Sequence, residues 1–206
     1  MKTLKRLKLK KAIILDRDGV INEMVYNPRF GTIDSPLNPK ELKILKGADR
    51  AIELFREMGF LVVVASNQPI IAKGKTSQEL FKKIDDKIKR ELKRRGTFLD
   101  GIYYCFHHPD RVQVKVKKYL KICGCRKPRP GLLLRAAREL NFNLKKSFMI
   151  GDGLTDIQAG KAAGCKTIFL GTKKAYLWEA MNSNKIRPDF IAKNLLEAVK
   201  IIKKNN

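Results

Sequence analysis

Ile14-Leu15-Asp16-Arg17-Asp18-Gly19 joins the end of an apolar run to two acids spaced two apart and a glycine. The run Lys11–Leu15 reads as a short buried strand, so both acids fall at its C-terminal end. In an open α/β sheet that edge is where ligands bind. An Asp-Gly pair is also an ordinary turn, so the weight of this reading depends on the rest of the chain.

Outward from that stretch, strand-like and helix-like runs alternate. Ala48–Met58 has helical spacing and stops at Gly59, and Phe60–Ala65 is a continuous apolar run suited to a central parallel strand. Ser77–Arg95 predicts a long amphipathic helix with Leu80, Phe81, Ile84, Ile88 and Leu92 on one face, Thr76 as its cap and Gly96 as its stop. Gly101–Cys105 predicts a strand, Pro130–Leu140 a helix, Ser147–Ile150 a strand, Thr155–Ala163 a helix and Thr167–Leu170 a strand. Lys173–Met181 reads as helix, Asp189–Ile191 as a short last strand and Leu195–Ile202 as a closing helix. The alternation predicts a doubly wound, Rossmann-like parallel sheet in an α/β chain, one domain over residues 1–206. Two irregular stretches, Asn22–Lys46 and His107–Pro130, leave the ends of predicted strands and are expected to overhang one site.

Lys and Arg number 45 against 20 Asp and Glu, a formal net charge of +25. These cations run along the whole chain, which favours a solvated basic surface over a nucleic-acid or membrane-binding block. No apolar run approaches the roughly 20 residues of a membrane span. The basic N-terminus (Lys2, Lys5, Arg6, Lys8, Lys10, Lys11) is followed by no signal-peptide core. A cytoplasmic protein without a membrane partner is expected. In that compartment Cys105, Cys123 and Cys125, lying near His107, suggest a metal before a disulfide. Cys165 stands apart in an Ala-Gly-Cys-Lys turn and reads as a free thiol.

Three later segments bear on the acid pair. Ser66-Asn67-Gln68 ends the apolar strand and offers a hydroxyl and an amide to a phosphate oxygen. Arg126-Lys127-Pro128 precedes a helix and offers a point charge. Gly151-Asp152-Gly153-Leu154-Thr155-Asp156 follows a strand and offers carboxylates to a Mg²⁺ ion. Each segment alone is equally an ordinary turn, cap or surface charge.

In this order the four segments resemble the haloacid dehalogenase (HAD) superfamily of phosphotransferases, over Asp16 to about Leu170. The resemblance implies a HAD-like fold and a Mg²⁺-dependent phosphatase working through an aspartyl-phosphate. No large cap domain fits, because one loop, one helix and one strand fill the Asp18–Ser66 gap, and a helix, a strand and the Cys/His loop fill the Ser66–Lys127 gap. It implies Asp16 as nucleophile and Asp18 as general acid and base. Mg²⁺ would be held by the Asp16 carboxylate, the Asp18 backbone carbonyl and the Asp152 carboxylate. Ser66 and Lys127 would stabilise the phosphoryl oxygens, with Asp156 orienting Lys127 or a metal-bound water.

Cys105-Phe-His107 and Cys123-Gly-Cys125 could supply four zinc ligands, although one-residue spacers are shorter than zinc-finger spacing, and His108 is a competing imidazole. The loop from Cys105 to Pro128 resembles the zinc loop of the heptose bisphosphate phosphatases, and histidinol-phosphatases carry a similar one. That resemblance selects His107. It implies a structural zinc in an inserted loop (105–125) beside a catalytic Mg²⁺, substrate contacts from Asn22, Asn67, Gln68 and Arg126, and a monomer acting on a small sugar bisphosphate. Pro69-Ile70-Ile71, Gly153 and the loop Phe30–Pro39 depart from the heptose pattern at positions that touch substrate selection. The alternatives are a histidinol-phosphate phosphatase, a nucleic-acid 3′-phosphatase and a non-catalytic basic nucleic-acid-binding protein. The zinc loop weighs against the second, and the presence of every expected catalytic residue against the third.

Overall fold

The computed structural model describes residues 9–171, 175–183 and 185–205. Its centre is a strand, β1 (Lys11–Leu15), with every residue after Lys11 buried. Ile13 and Leu15 enter one core, while Ala12 and Ile14 enter another, as the two-residue period of a strand requires. A short antiparallel hairpin follows, β2 (Val25–Asn27) and β3 (Thr32–Asp34). Then come α1 (Ala48–Glu57), β4 (Phe60–Asn67), α2 (Gln78–Arg94), β5 (Gly101–Cys105) and α3 (Gly131–Leu140). The chain closes with β6 (Phe148–Gly151), α4 (Leu154–Ala162), β7 (Lys166–Leu170), α5 (Ala175–Ser183), β8 (Phe190–Ala192) and α6 (Leu195–Asn205).

The six-stranded sheet has the order β5-β4-β1-β6-β7-β8, and every pairing in it is parallel. The chain steps outward from β1 to β4 and β5, then crosses back to β6 and steps outward the other way. The reversal falls between β1 and β6, which places the ligand crevice of such sheets at their carboxyl ends. Helices cover both faces. Ile52 and Phe55 of α1, Ile84 and Ile88 of α2, and Val199 and Ile202 of α6 pack on the Ile13, Leu15, Val62 and Val64 face. Leu132, Leu133 and Ala136 of α3 and Ala159 of α4 pack on the Ala12, Ile14 and Val63 face. Each such buried Leu, Ile, Val or Phe side chain stabilises the fold by roughly 1.5–3 kcal/mol.

The predicted elements appear in the predicted order, with shifted ends. β4 runs on through Ser66 and Asn67, and β6 starts after Ser147, whose hydroxyl instead accepts from Ala12 N at 2.9 Å and donates to Asn143 O at 2.6 Å. The cap of α2 is Ser77, which accepts from Leu80 N at 3.1 Å, not Thr76, whose hydroxyl donates to Leu37 O at 2.7 Å. The start of the helix expected from Lys173, like the basic residues before Leu9, lies outside the described residues. The hairpin β2-β3 was not expected; it is held to the turn before α2 by the Lys75–Asp34 ion pair. Among the described residues no helix is long and apolar enough to cross a membrane.

Candidate active site

β1 and β6 end side by side, with Asp16 N donating to Ile150 O at 3.0 Å. After Leu15 the backbone curls back, and Arg17 O accepts from Ile21 N at 2.7 Å and Asn22 N at 3.1 Å. The curl needs Gly19 in the left-handed region, at φ +76°. It also needs a bare α-carbon there, because a Cβ would lie 2.1 Å from Asp152 Oδ2. A Cβ on Gly151 would likewise lie 2.2 Å from Asp156 Oδ2. Two glycines thus let the Asp152 and Asp156 carboxylates press against the ends of the central strands.

Asp16, Asp152 and Asp156 bring one carboxylate oxygen each to within 4.8 Å of the others. Lys127 is fully buried among them. Its Nζ stands 3.0 Å from Asp16 Oδ1 and 2.5 Å from Asp156 Oδ1, and donates to Ala65 O at 2.7 Å. Burial alone would lower the Lys127 ammonium; the charges of Asp156 and Asp16 outweigh it and hold it above its usual range. Burial and then the charges of Asp16 and Asp156 push the Asp152 carboxyl up to about 7. Burial also raises Asp156, to about 6, against the pull of Lys127. Three crowded acids against one ammonium leave an uncompensated negative site built of hard oxygens. That donor set fits Mg²⁺, which takes one or two carboxylates together with phosphate and water.

Asp18 is placed differently: its carboxylate lies outside this acid cluster and is saturated with donors from within the protein. Arg17 reaches Oδ1 through Nε at 3.2 Å and through Nη2 at 2.9 Å, and Nη2 also reaches Oδ2 at 3.1 Å. Asn22 Nδ2 donates to Oδ1 at 2.8 Å. Gln68 Nε2 and the Ser35 hydroxyl donate to Oδ2 at 2.6 and 2.8 Å. Burial would raise this carboxyl, yet the Arg17 charge and the hydrogen bonds from Asn22, Gln68 and Arg17 hold it below its ordinary value. Asn22 and Gln68 are fully buried. In this structure the amide nitrogens of both side chains, expected at the substrate, are turned to Asp18, and Gln68 Oε1 accepts from Arg17. Arg17 and Ser35 are the members that sequence reasoning missed.

Asn67, partly exposed, is turned to the backbone of Lys127. Its amide donates to Lys127 O and accepts from Lys127 N, both at 3.0 Å, so it clamps the backbone that presents Lys127. Ser66 is buried at the end of β4, where its Oγ accepts from Gln68 Nε2 at 3.1 Å. Arg126 is half-buried. Its Nη1 donates to His107 O at 3.1 Å, and it borders a cavity of about 360 Å³ with Pro109, Lys121, Ile122 and Arg129. Of the four expected substrate contacts, Asn22 and Gln68 are buried while Asn67 and Arg126 are partly exposed.

The thiols gather on the other side of the Arg126-Lys127 turn. Cys123 and Cys125 Sγ are 3.0 Å apart, Cys125 and Cys105 3.2 Å, and Cys105 and Cys123 3.6 Å. His107 Nδ1 stands 3.5 Å from Cys125 Sγ and 3.8 Å from Cys105 Sγ. Around tetrahedral zinc, with Zn–S about 2.3 Å, sulfurs sit roughly 3.8 Å apart; the donor types fit that ion, and the sulfurs here are gathered somewhat closer than it would hold them. His108 is excluded from the group; its Nδ1 accepts from Asp110 N at 3.2 Å. Burial opposes ionisation of Cys123, but hydrogen bonds from Cys125, His107 and Cys105 bring it down to about 6. Cys105 and Cys125 are pushed up, first by burial and then by hydrogen bonds within the cluster. Holding all three as thiolates requires a cation.

The HAD-hydrolase-like family model matches residues 124–198. The chain is 35% identical over 196 residues to the D-glycero-beta-D-manno-heptose-1,7-bisphosphate 7-phosphatase of Pasteurella multocida, covering 95% of this chain and 98% of that one. It is 38% identical over 194 residues to the protein of the same name from Photorhabdus laumondii, covering 94% and 97%. A crystal structure of D,D-heptose 1,7-bisphosphate phosphatase from B. bronchiseptica, complexed with magnesium and phosphate, superposes with a TM-score of 0.75 at 29% identity, covering 95% and 99%.

Proposed function

Since the chain belongs to the D-glycero-beta-D-manno-heptose-1,7-bisphosphate 7-phosphatase family of HAD-type phosphoric monoester hydrolases, we propose that it removes one phosphate from a heptose bisphosphate. The observation that carries this reading is the pairing of Asp16 and Asp152 across the β1/β6 reversal, with Lys127 Nζ 3.0 Å from Asp16. A nucleophilic carboxylate, an acid to hold a cation and a buried ammonium then share one opening. The relatives do not favour the histidinol-phosphate, nucleic-acid 3′-phosphatase or nucleic-acid-binding readings.

In this reading Asp16 attacks phosphorus and becomes the aspartyl-phosphate, releasing the sugar oxygen. Asp18 protonates that oxygen and afterwards takes the proton of the hydrolytic water. Lys127 and Ser66 oppose the charge on the phosphoryl oxygens, and Asn67 fixes Lys127 by its backbone. Asp156 holds the Lys127 ammonium in place. Asp16, Asp152 and the backbone carbonyl of Asp18 would hold Mg²⁺, which shields the nucleophile from the phosphate's negative charge. Magnesium in a solved relative supports that assignment. Arg126 meets the second phosphate or a sugar hydroxyl over the adjoining cavity. Cys105, His107, Cys123 and Cys125 would hold a structural zinc, which would fix the turn carrying Arg126 and Lys127.

The test is phosphate release with Mg²⁺ from both anomers of heptose 1,7-bisphosphate, fructose 1,6-bisphosphate, histidinol phosphate and a 3′-phosphorylated oligonucleotide. Preference for a heptose bisphosphate, lost in Asp16→Asn, is the expected result. Preference for another member replaces the substrate and keeps the chemistry, and no turnover in any arm rejects the reading.

A further inference from the structure

Asp16 and Asp18 are two residues apart, yet Asp18 is held by a side chain to which the chemistry above gives no part. Arg17 is fully buried. Its Nη2 donates to both Asp18 oxygens, at 2.9 and 3.1 Å, and to Gln68 Oε1 at 3.0 Å. Gln68 returns a bond to Asp18 at 2.6 Å, closing a ring of three side chains. Behind the ring, the guanidinium carbon lies 5.1 Å from the centre of the Phe81 ring and 5.6 Å from that of Tyr104. The Tyr104 hydroxyl is tied to Asp85 at 2.7 Å. Arg17 is therefore anchored by α2 and β5, two elements outside the turn that carries the acids.

We propose that Arg17 is the positioning residue of Asp18 and that its contribution falls in the dephosphorylation half of the reaction. The proposal rests on the aspartyl-phosphate reading of Asp16. An arginine has five N–H donors and no acceptor, so its bonds to both Asp18 oxygens are best met when Asp18 is a carboxylate, whereas protonation puts an O–H on one oxygen that Arg17 cannot accept. In the second half-reaction Asp18 takes a proton from water, and the water oxygen attacks phosphorus. The bond from phosphorus to Asp16 then breaks, Asp16 is restored as a carboxylate, and inorganic phosphate leaves. A lysine, a single point charge on a flexible stem, has no second nitrogen to match Arg17 Nε, 3.2 Å from Asp18 Oδ1, and no planar group to lie by Phe81 and Tyr104.

The experiment is stopped-flow hydrolysis of p-nitrophenyl phosphate by the Mg²⁺-loaded, zinc-loaded protein. Its phenolate leaves without a protonating acid, so phosphorylation of Asp16 proceeds without Asp18 while hydrolysis of the phosphoenzyme does not. Asp18→Asn is the reference and should release about one p-nitrophenolate per site in a burst, then stall. Arg17→Lys should show the same burst, followed by a steady state roughly tenfold to a hundredfold below wild type. An Asp18→Asn variant with no burst would reject the aspartyl-phosphate reading itself. A burst in Asp18→Asn with both phases of Arg17→Lys slowed alike, or neither slowed, overturns the role of Arg17. Should Arg17→Lys not fold, Phe81→Leu removes one anchoring ring and leaves the carboxylate ring intact. It should slow only the second phase, by about threefold, and an unchanged second phase overturns the proposal.

Discussion

The acid cluster and the thiol cluster lie on either side of one short turn, Arg126-Lys127, and are built in opposite ways. Asp16 and Asp152 sit on the carboxyl ends of β1 and β6, central strands whose residues are almost all buried. Lys127, Asn67 and two glycines hold them there with protein contacts alone. The thiols hang from β5, an outermost strand of the sheet, and from a loop without regular structure around Cys123 and Cys125. Their mutual contacts are weak S–H hydrogen bonds. A site on the sheet's centre is organised before its cation arrives, whereas a site on the edge is organised by its cation. Losing Mg²⁺ should then cost activity, and losing zinc should cost structure.

Asp16→Asn tests the first half of that contrast with the largest expected effect. Phosphate release should fall by roughly a thousandfold or more, while the melting temperature in Mg²⁺-free buffer stays level or rises. The rise would follow from removing one of three crowded like charges, whose repulsion appears in the raised Asp152 and Asp156 carboxyls. A large fall in melting temperature would mean that Asp16 is needed for the fold, and the contrast would fail.

Cys125→Ser addresses the other half. Removing one ligand should release the zinc and lower the melting temperature by about 10 °C, since structural zinc binding feeds directly into folding free energy. Turnover at saturating substrate should drop by less than about tenfold, with the larger change in KM, because Lys127 keeps its anchors on Asn67, Ala65 and Asp156. Zinc content by atomic absorption and thermal melts on the same samples decide it. Unchanged zinc content would remove Cys125 from the site.

The same division decides how much the sequence revealed. β1 and β5 were legible to the residue, because continuous apolar runs bounded by acids or glycine have one reading. The hairpin β2-β3 was not, since three-residue strands with mostly exposed positions leave no alternation to detect. At the site, residue types were legible and directions were not. Gln68 was recognisable as a polar group at a strand end and Asn22 only through the family resemblance, but the chain leaves the strand after Leu15 and curls. That curl seats the Asp18 carboxylate between the Asn22 and Gln68 amide nitrogens. Arg17 was visible as the residue between the acids; its burial under Phe81 and Tyr104 depends on two distant elements. Ser35 left no signal, because its contact depends on where the hairpin returns. Ser77 and Thr76 are adjacent hydroxyls, and the sequence does not choose between them as caps.

A pH series sharpens the acid side. Asp152 has a folded value of about 7, against an ordinary value of 3.8. A carboxyl raised in the folded state stabilises it below about pH 4, and that contribution is lost as the pH climbs to about 7. Mg²⁺-free wild type should therefore lose about 5 °C in melting temperature more than Asp152→Asn does between pH 4 and 7. Added Mg²⁺ should abolish the difference above pH 7 by binding the ionised carboxylate. Parallel curves for the two proteins would show that the acid cluster is not strained without its cation.

The smallest effect belongs to the turn that both clusters share. Arg126 donates to His107 O on the thiol side and borders the open cavity beside Lys127. Loss of solvation is the main influence on its guanidinium, only partly offset by the Cys105, Cys123 and Cys125 charges, which favours a partner of opposite charge. Arg126→Ala should raise KM for a bisphosphate about tenfold, the size of one charge-assisted contact. It should leave kcat and the KM of a sugar monophosphate nearly unchanged. That split assigns the contact to the second phosphate, a group bound equally in ground and transition states. An equal rise for both substrates would assign it to the sugar, and a fall in kcat with loss of zinc would return Arg126 to the thiol loop as a structural residue.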